Sequence, residues 1–296
     1  MKQIEKCGYV AIIGRPNVGK STLLNDLVGQ KISIISPKPQ TTRNQILGIK
    51  TAEGAQAVYI DTPGLHQAEQ RAMNRYMNRL ASSVIADADV VVFMIEATRW
   101  YDDDDAVLNR LAQVTAPVIL VINKTDLLKD KSRLLPLISR LQEKFSFAHI
   151  VPLSAKKQDN IAVLEKMIAQ LLPEGPHFFP DEQVTDKDEQ FQVAELIREK
   201  VIQATEQEIP YSTTVVIDSL KLEGNLVNIS AIIWVEREGQ KPIVIGKNGE
   251  KLKKIGTLAR KDIEKLLNKK VFLRLWVKVK SDWTDSDGLL QNLGFK

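Results

Sequence analysis

An apolar run, Tyr9–Ile13, leads directly into Gly14-Arg15-Pro16-Asn17-Val18-Gly19-Lys20-Ser21 and on into a stretch with helical spacing, Lys20–Val28. A buried strand that turns through a G-x-x-x-x-G-K-[ST] loop into a helix constrains the fold strongly. The rest of residues 1–172 keeps the same rhythm. Ala55–Ile60, Val90–Ile95, Val118–Ile122 and Ile150–Leu153 read as short buried strands. Arg71–Ile85, Ala106–Ala112, Arg133–Lys144 and Ile161–Leu172 have helical spacing. This alternation predicts an α/β domain with a mostly parallel sheet and helices on both faces. Gln45–Thr51, paired with Ala55–Ile60 across a short turn, would make one edge antiparallel.

The glycine-containing loop is suited to phosphate. Gly14 and Gly19 let the main chain wrap closely around an anion, and the helix N-terminus adds its positive dipole end. Lys20 would reach the β- and γ-phosphates, and the Ser21 hydroxyl would bind Mg²⁺. Thr22 stands just behind them. Asp61-Thr62-Pro63-Gly64 follows a strand; Asp61 there can hold Mg²⁺ through water, and Gly64 can offer its N–H to a γ-phosphate. Asn123-Lys124-Thr125-Asp126 names the base. Guanine presents two donors on one edge, which a carboxylate such as Asp126 accepts, whereas adenine presents an acceptor there. Asn123 would tie neighbouring loops together, and the Lys124 stem would cover the base. Ser154-Ala155-Lys156 can supply a backbone N–H to guanine O6.

These four elements, in this order, resemble a P-loop GTPase of the Ras-like superfamily over about residues 8–172. The resemblance implies a threonine that completes the Mg²⁺ coordination. Gln40-Thr41-Thr42-Arg43 offers Thr42, with Thr41 as the near alternative. Where the superfamily has a water-orienting glutamine, this chain has Leu65, so backbone groups, a partner or an ion would have to do that work. Asn17 resembles the asparagine of the GTPase subgroup that binds K⁺ beside the phosphates. That likeness implies slow hydrolysis, faster in K⁺ than in Na⁺.

With 296 residues there is room for a second domain. Leu172-Pro173-Glu174-Gly175-Pro176 and Phe179-Pro180-Asp181 break any helix and suggest a linker over residues 173–188. A smaller α+β domain is expected over 189–284, in the order α-β-β-α-β, with a tail at 285–296. Net charge is +4, but residues 241–280 hold 13 Lys/Arg against Glu250, Asp262 and Glu264, a local net of +10 that leaves −6 for the rest. Such a block predicts one face for a polyanion.

Within that block, an apolar strand end, Ile243-Val244-Ile245, runs into Gly246-Lys247-Asn248-Gly249 and then into a helix carrying Lys251, Lys253 and Lys254. A G-x-x-G turn admits a phosphodiester backbone close to the main chain, with single-stranded bases along the groove beside the helix. This resembles a KH domain of the type whose extra elements precede the core. A GTPase domain followed by a KH domain is similar to the bacterial Era family over nearly the whole chain. Val235–Lys241 and Leu275–Lys280 look like that family specifically. The resemblance implies binding near the 3′ end of 16S ribosomal RNA during 30S assembly, with RNA affinity set by the nucleotide. It also implies a cytoplasmic protein that associates peripherally with the inner membrane.

Other features carry structural readings. Asp102–Asp105 would cap a helix and face water, and the histidines His66, His149 and His177 lack ligand spacing. Cys7 reads as inert packing in a reducing compartment. Trp100, Trp234, Trp276 and Trp283 read as packing residues. No apolar run approaches the roughly 20 residues of a membrane span, and the charged N-terminus does not read as a secretory signal. Two rival functions stand beside the enzyme: an RNA-binding scaffold with GTP as a structural ligand, and a membrane-associated signalling GTPase.

Overall fold

The computed structural model describes residues 5–38, 41–63, 72–206 and 209–292. They form two compact units. The first unit holds a six-stranded sheet ordered β2-β3-β1-β4-β5-β6, from β1 (Lys6–Ile13), β2 (Ile46–Ala52), β3 (Ala55–Asp61), β4 (Val90–Glu96), β5 (Val118–Asn123) and β6 (His149–Pro152). β2 runs antiparallel to β3, and every other pairing is parallel. β4 and β5 are almost wholly buried, which explains their unbroken Val/Ile content. Helices α1 (Lys20–Val28), α2 (Ala72–Ala86, of which the part from Tyr76 onward belongs to this unit), α3 (Asp102–Leu111), α4 (Leu134–Gln142) and α5 (Ile161–Leu171) complete the alternation.

β1 lies between β3 and β4, so the chain reverses its direction of sheet growth there. In open α/β sheets the crevice at the carboxyl ends of such strands is where ligands bind. The loop from β1 to α1 opens at that point, and so do the ends of β3 and β5.

Residues 173–186 are tied to the first unit. Cys7 N donates to Pro173 O at 3.1 Å, Gly175 N to Glu5 O at 3.0 Å and Ile49 N to Val184 O at 2.9 Å. Fully buried Gln56 holds the middle of the stretch. Its Oε1 accepts the N–H groups of Phe178 and Phe179, each at 2.9 Å, and its Nε2 donates to Phe179 O at 2.8 Å.

The second unit contains α6 (Glu189–Ala204), β7 (Thr214–Glu223), β8 (Leu226–Val235), α7 (Gln240–Ile245), α8 (Glu250–Leu267), β9 (Lys270–Val279) and α9 (Asp287–Asn292). β8 pairs antiparallel with β7 and parallel with β9. One face of this sheet packs on α6 and α8 through residues such as Ile197, Ile229, Ile233, Ile255 and Ile263. The apolar run Ile243–Ile245, expected as a strand end, is instead the last part of helix α7. Gln240 secures that turn, its Oε1 accepting Glu236 N at 2.9 Å and Arg237 N at 3.0 Å. Val244 is buried in the core, so packing overrides the strand preference of the β-branched residues. Within the tail, Asp287–Asn292 forms α9, with Leu290 buried. Among the described residues no helix is long and apolar enough to cross a membrane.

Candidate nucleotide and RNA sites

The loop from Gly14 to Ser21 takes its shape from backbone conformations unusual for side-chain-bearing residues. Gly19 has φ of 107°, and a Cβ there would fall on the Asn123 amide. The approach is close because Asn123, at the end of β5, donates from Nδ2 to Val18 O at 2.8 Å. Its Oδ1 accepts Ala155 N at 3.0 Å. One buried side chain thus ties together the phosphate loop, the β5 loop and the loop after β6. Asp126 is exposed and accepts the Ser154 hydroxyl at 2.6 Å. Lys124 adopts a left-handed conformation, φ 62°, and its ammonium lies 3.0 Å from Glu96 Oε2. Lys156 is exposed.

Lys20 is buried, and among the described residues it has no carboxylate partner within ion-pair distance. Its ammonium donates to Gly14 O at 3.0 Å and Arg15 O at 3.1 Å. Burial lowers its pKa to about 8, a shift that Asp61 opposes and Arg15 reinforces. A buried cation held by two carbonyl oxygens suits an arriving phosphate. Asp61, at the end of β3, is likewise fully buried, and burial pushes its carboxyl up. Three hydroxyls converge on its Oδ2: Ser21 Oγ at 2.7 Å, Ser33 Oγ at 3.1 Å and Thr42 Oγ1 at 3.2 Å. Its Oδ1 has no hydrogen-bond partner among the described residues. A carboxylate with an unpartnered oxygen beside two hydroxyls is the hard-oxygen donor set that Mg²⁺ takes. The residues present therefore fit the metal.

Thr42 is the threonine whose hydroxyl reaches that carboxylate, and it also lies 2.9 Å from Ser21 Oγ. The Thr41 hydroxyl turns away and donates to Lys38 O at 2.6 Å. Thr62 Oγ1 donates to Ile12 O at 3.0 Å, and Pro63 is buried. Pro16 and Thr22 are half-buried and Asn17 is exposed at φ 64°. Gly64, Leu65 and His66 lie outside the described residues.

Arg15 directs its side chain away from the loop interior. Its guanidinium lies 4.1 Å from the Tyr101 ring centroid, with Nη2 3.0 Å from Glu96 Oε2 and Nε 3.5 Å from Asp104 Oδ1. Asp104 corrects the expectation that the four-aspartate run faces water, since it is fully buried. Its Oδ2 accepts Tyr101 N at 3.0 Å, capping α3, so one acid of the run faces inward. Burial raises the Asp104 pKa to about 6 against the pull of the Tyr101 N–H and Arg15. Glu96 joins Arg15 of the phosphate loop to Lys124 of the base loop. Burial favours its neutral form, but hydrogen bonds from Thr98, Lys124 and Arg15 outweigh this and hold its carboxyl below the usual range.

Asn25, Ser33 and Glu96 are invisible to motif reading. Asn25, one turn past Ser21 on α1, accepts Ile32 N and Ser33 N through Oδ1, both at 2.9 Å. It donates to Ser33 O at 2.8 Å and so fixes Ser33 against Asp61. An asparagine four residues beyond the loop serine is the available signal, but only the return of residues 32–33 gives it meaning.

In the second unit Gly246 has φ of 75°, and a Cβ there would sit 2.6 Å from Lys251 Cβ. Asn248 and Gly249 are also left-handed, so Lys247–Gly249 forms a tight single turn. Ile245 is half-buried and Lys251 partly covered, whereas Lys247, Asn248, Lys253 and Lys254 are exposed. A groove opens beside this turn between α8 and β9, lined by Gly249, Leu252, Gly256, Thr257, Phe272 and Leu275. Gly256 keeps the helix wall low. Trp283 is fully buried, its Nε1 donating to Ser212 O at 3.1 Å, whereas Trp276 is 43% exposed. Trp276 thus departs from the packing expected of it, because β9 turns even-numbered positions away from the core. Cys7 is buried, and burial pushes its thiol up, in keeping with packing.

Residues 9–124 match the family of 50S ribosome-binding GTPases, and residues 208–284 match the KH domain family. The chain is 55% identical over 290 residues to GTPase Era of Coxiella burnetii strain Dugway 5J108-111, covering 98% of each. It is 52% identical to GTPase Era of Pseudomonas putida strain W619, covering 98% of this chain and 97% of the relative. The chain belongs to the Era GTPase family. It is accordingly a GTP hydrolase with a KH domain behind the P-loop domain. A single-residue variant of Aquifex aeolicus Era bound to GDP·AlF4⁻ superposes with a TM-score of 0.94 at 42% identity, over 98% of this chain and 99% of that one. An Era structure in complex with MgGDPNP and nucleotides 1506–1542 of 16S ribosomal RNA gives 0.95 at 41% identity, with the same coverage.

Proposed function

We propose that this Era-family enzyme hydrolyses GTP to GDP and phosphate at the Gly14–Ser21 loop, and that its nucleotide state sets how its KH domain holds the 3′ region of 16S ribosomal RNA during 30S assembly. The observation that carries the nucleotide half is the pair of buried, opposite charges. Among the described residues Lys20 has two carbonyl partners, and Asp61 keeps one oxygen unpartnered beside the Ser21 and Thr42 hydroxyls. Ser21, Thr42 and Asp61 would hold Mg²⁺, with Asp61 acting through water; the ion would neutralise charge on the β- and γ-phosphate oxygens. Lys20 and the loop N–H groups hold the γ-phosphoryl group and stabilise charge as water attacks. Asp126 accepts the two guanine donors, and the Ser154–Lys156 loop would give a backbone N–H to the guanine carbonyl. Gly64 would bind the γ-phosphate through its N–H. Asn17 would hold K⁺ beside the phosphates.

The RNA half draws on the relative bound to nucleotides 1506–1542, with which this chain shares both domains over 98% of its length. The turn at Gly246–Gly249 and the lysines of α8 supply the backbone contacts. Coupling is supported by chain connectivity. The chain passes from the second unit to the first between Thr41 and Thr42, so a γ-phosphate that orders Thr42 acts directly on that crossing point. A cytoplasmic setting belongs to the same proposal, supported by the free thiol of Cys7. So does a peripheral contact with the inner membrane, which the +10 charge of residues 241–280 would favour.

RNA cross-linking with mapping in GDPNP and GDP states, with Lys20→Ala as control, tests the proposal. Cross-links confined to the 3′ region of 16S RNA and stronger with GDPNP support it; identical maps in both states and in the variant refute the coupling. Hydrolysis measured in KCl and NaCl at matched ionic strength tests the K⁺ assignment, and equal rates would remove it.

A further inference from the structure

The three-stranded sheet of the second unit has one face on its core and the other free of it. Val271, Leu273, Leu275 and Val277 of β9 pack toward the core, so Phe272, Arg274, Trp276 and Lys278 stand on the opposite face. Phe272 is 49% exposed and Trp276 43% exposed. The parallel register sets Trp276 beside Ile232 and Lys278 beside Trp234. Cations interleave with the rings: Arg274 lies 5.4 Å from the Phe272 centroid and the Lys280 ammonium 5.6 Å from that of Trp234. β9 contains no acidic residue, and the acids Asp218 and Glu223 sit on β7, the far strand. Glu223 there accepts the Asn228 amide at 2.8 Å.

We propose that this sheet face is a second RNA surface, adjoining the G-x-x-G groove, on which unpaired bases stack against Trp276 while Arg274, Lys278 and Lys280 take phosphates. The inference rests on reading the second unit as an RNA-binding module. Exposed aromatic rings on a flat sheet are platforms for bases, because every base has a π-face and stacking tolerates any sequence. The cations between the rings match the charge of a polynucleotide and disfavour a plain apolar protein partner. Phe272 also lines the groove beside α8, which makes the two surfaces continuous across the β9 edge. A strand leaving the groove at Phe272 would meet Trp276 about 13 Å further along β9.

The test uses the full chain and two single-stranded RNAs. One is limited to the roughly four nucleotides that a G-x-x-G turn clamps. The other carries the same segment with an unstructured flank. The longer RNA is expected to bind the parent protein more tightly than the shorter. Trp276→Ala should weaken the longer RNA by about tenfold and leave the shorter unchanged. The double variant R274Q/K278Q should lower the salt dependence of the longer RNA alone, and it serves independently if Trp276→Ala fails to fold. Parent-like binding of the longer RNA by both variants would overturn the proposal. In a parallel measurement with vesicles of anionic phospholipid, variants that lose vesicle binding but hold the longer RNA like the parent would likewise overturn it and mark a membrane face. Failure of the parent protein to bind either RNA would sink the RNA-binding reading itself, a result distinct from failure of the second surface.

Discussion

Ser33 Oγ lies 3.1 Å from Asp61 Oδ2, on the same oxygen that receives the Ser21 and Thr42 hydroxyls. Two of those three hydroxyls are the expected metal ligands. Ser33 is the third, held in place by Asn25 from the turn beyond Ser21. If Ser21 and Thr42 turn to Mg²⁺, Ser33 remains to orient the carboxylate. Ser33→Ala should therefore raise the Mg²⁺ concentration needed to retain GDPNP by about tenfold. Metal-free GDP binding should change little. A fluorescent-nucleotide titration across Mg²⁺ concentrations reads both quantities, and an unchanged Mg²⁺ midpoint would remove this role.

Lys20 gives a proton-linked signature. Burial lowers its pKa to about 8, whereas paired phosphates would restore the ammonium. GDP binding above pH 8 should consequently take up a proton, and affinity should fall as pH rises. Without nucleotide the sign reverses for folding. The unfolded chain, with an ordinary lysine, binds more protons between about pH 8 and 10.5, so this group's contribution to stability rises across that window. Calorimetry in two buffers of different ionisation enthalpy measures the proton count; no uptake at pH 9 would contradict the assignment.

Glu96 clasps Arg15 and Lys124, each at 3.0 Å. Glu96→Gln keeps the shape but removes the charge that both cations share. We expect GDP to dissociate several-fold faster, with a smaller change in association, because the loss falls on loop order rather than on charge at the entrance. Stopped-flow displacement of labelled GDP separates the two rates.

Gln56 is buried and satisfies the main chain of Phe178 and Phe179. Gln56→Leu preserves volume but leaves those groups unpartnered. A loss of about 2–4 kcal/mol of stability is expected, seen as a lowered denaturant midpoint at constant slope.

The nucleotide site is legible in the sequence because its chemistry is carried by short spacings. Gly14 to Ser21, Asp61 and Asn123 to Asp126 are each fixed by a loop that must follow a buried strand, and the strands announce themselves as Val/Ile runs. The antiparallel β2–β3 edge follows from the same reasoning. Residues whose meaning depends on distant partners are not legible. Ser33 matters because Asn25 returns the chain to Asp61, and Glu96 because two loops meet at the end of β4. Asp104 reads as one of four solvated acids until Arg15 is placed beside it. Ile243–Ile245 carries a strand signature by composition, yet the Gln240 hydrogen bonds and the burial of Val244 wind it into α7. On β9, alternation alone could flag Trp276 as outward, since Leu275 and Val277 on either side of it face the core.

The way Pro173 to Asp186 is sewn onto the sheet bears on how this protein can be dissected. A fragment ending at Leu172, where the motifs stop, would strip the cover from Gln56 and expose the β2 edge that Val184 now occupies. A cut after Asp186 would keep that seam closed, so the isolated amino-terminal half is the better reagent when it carries this additional stretch.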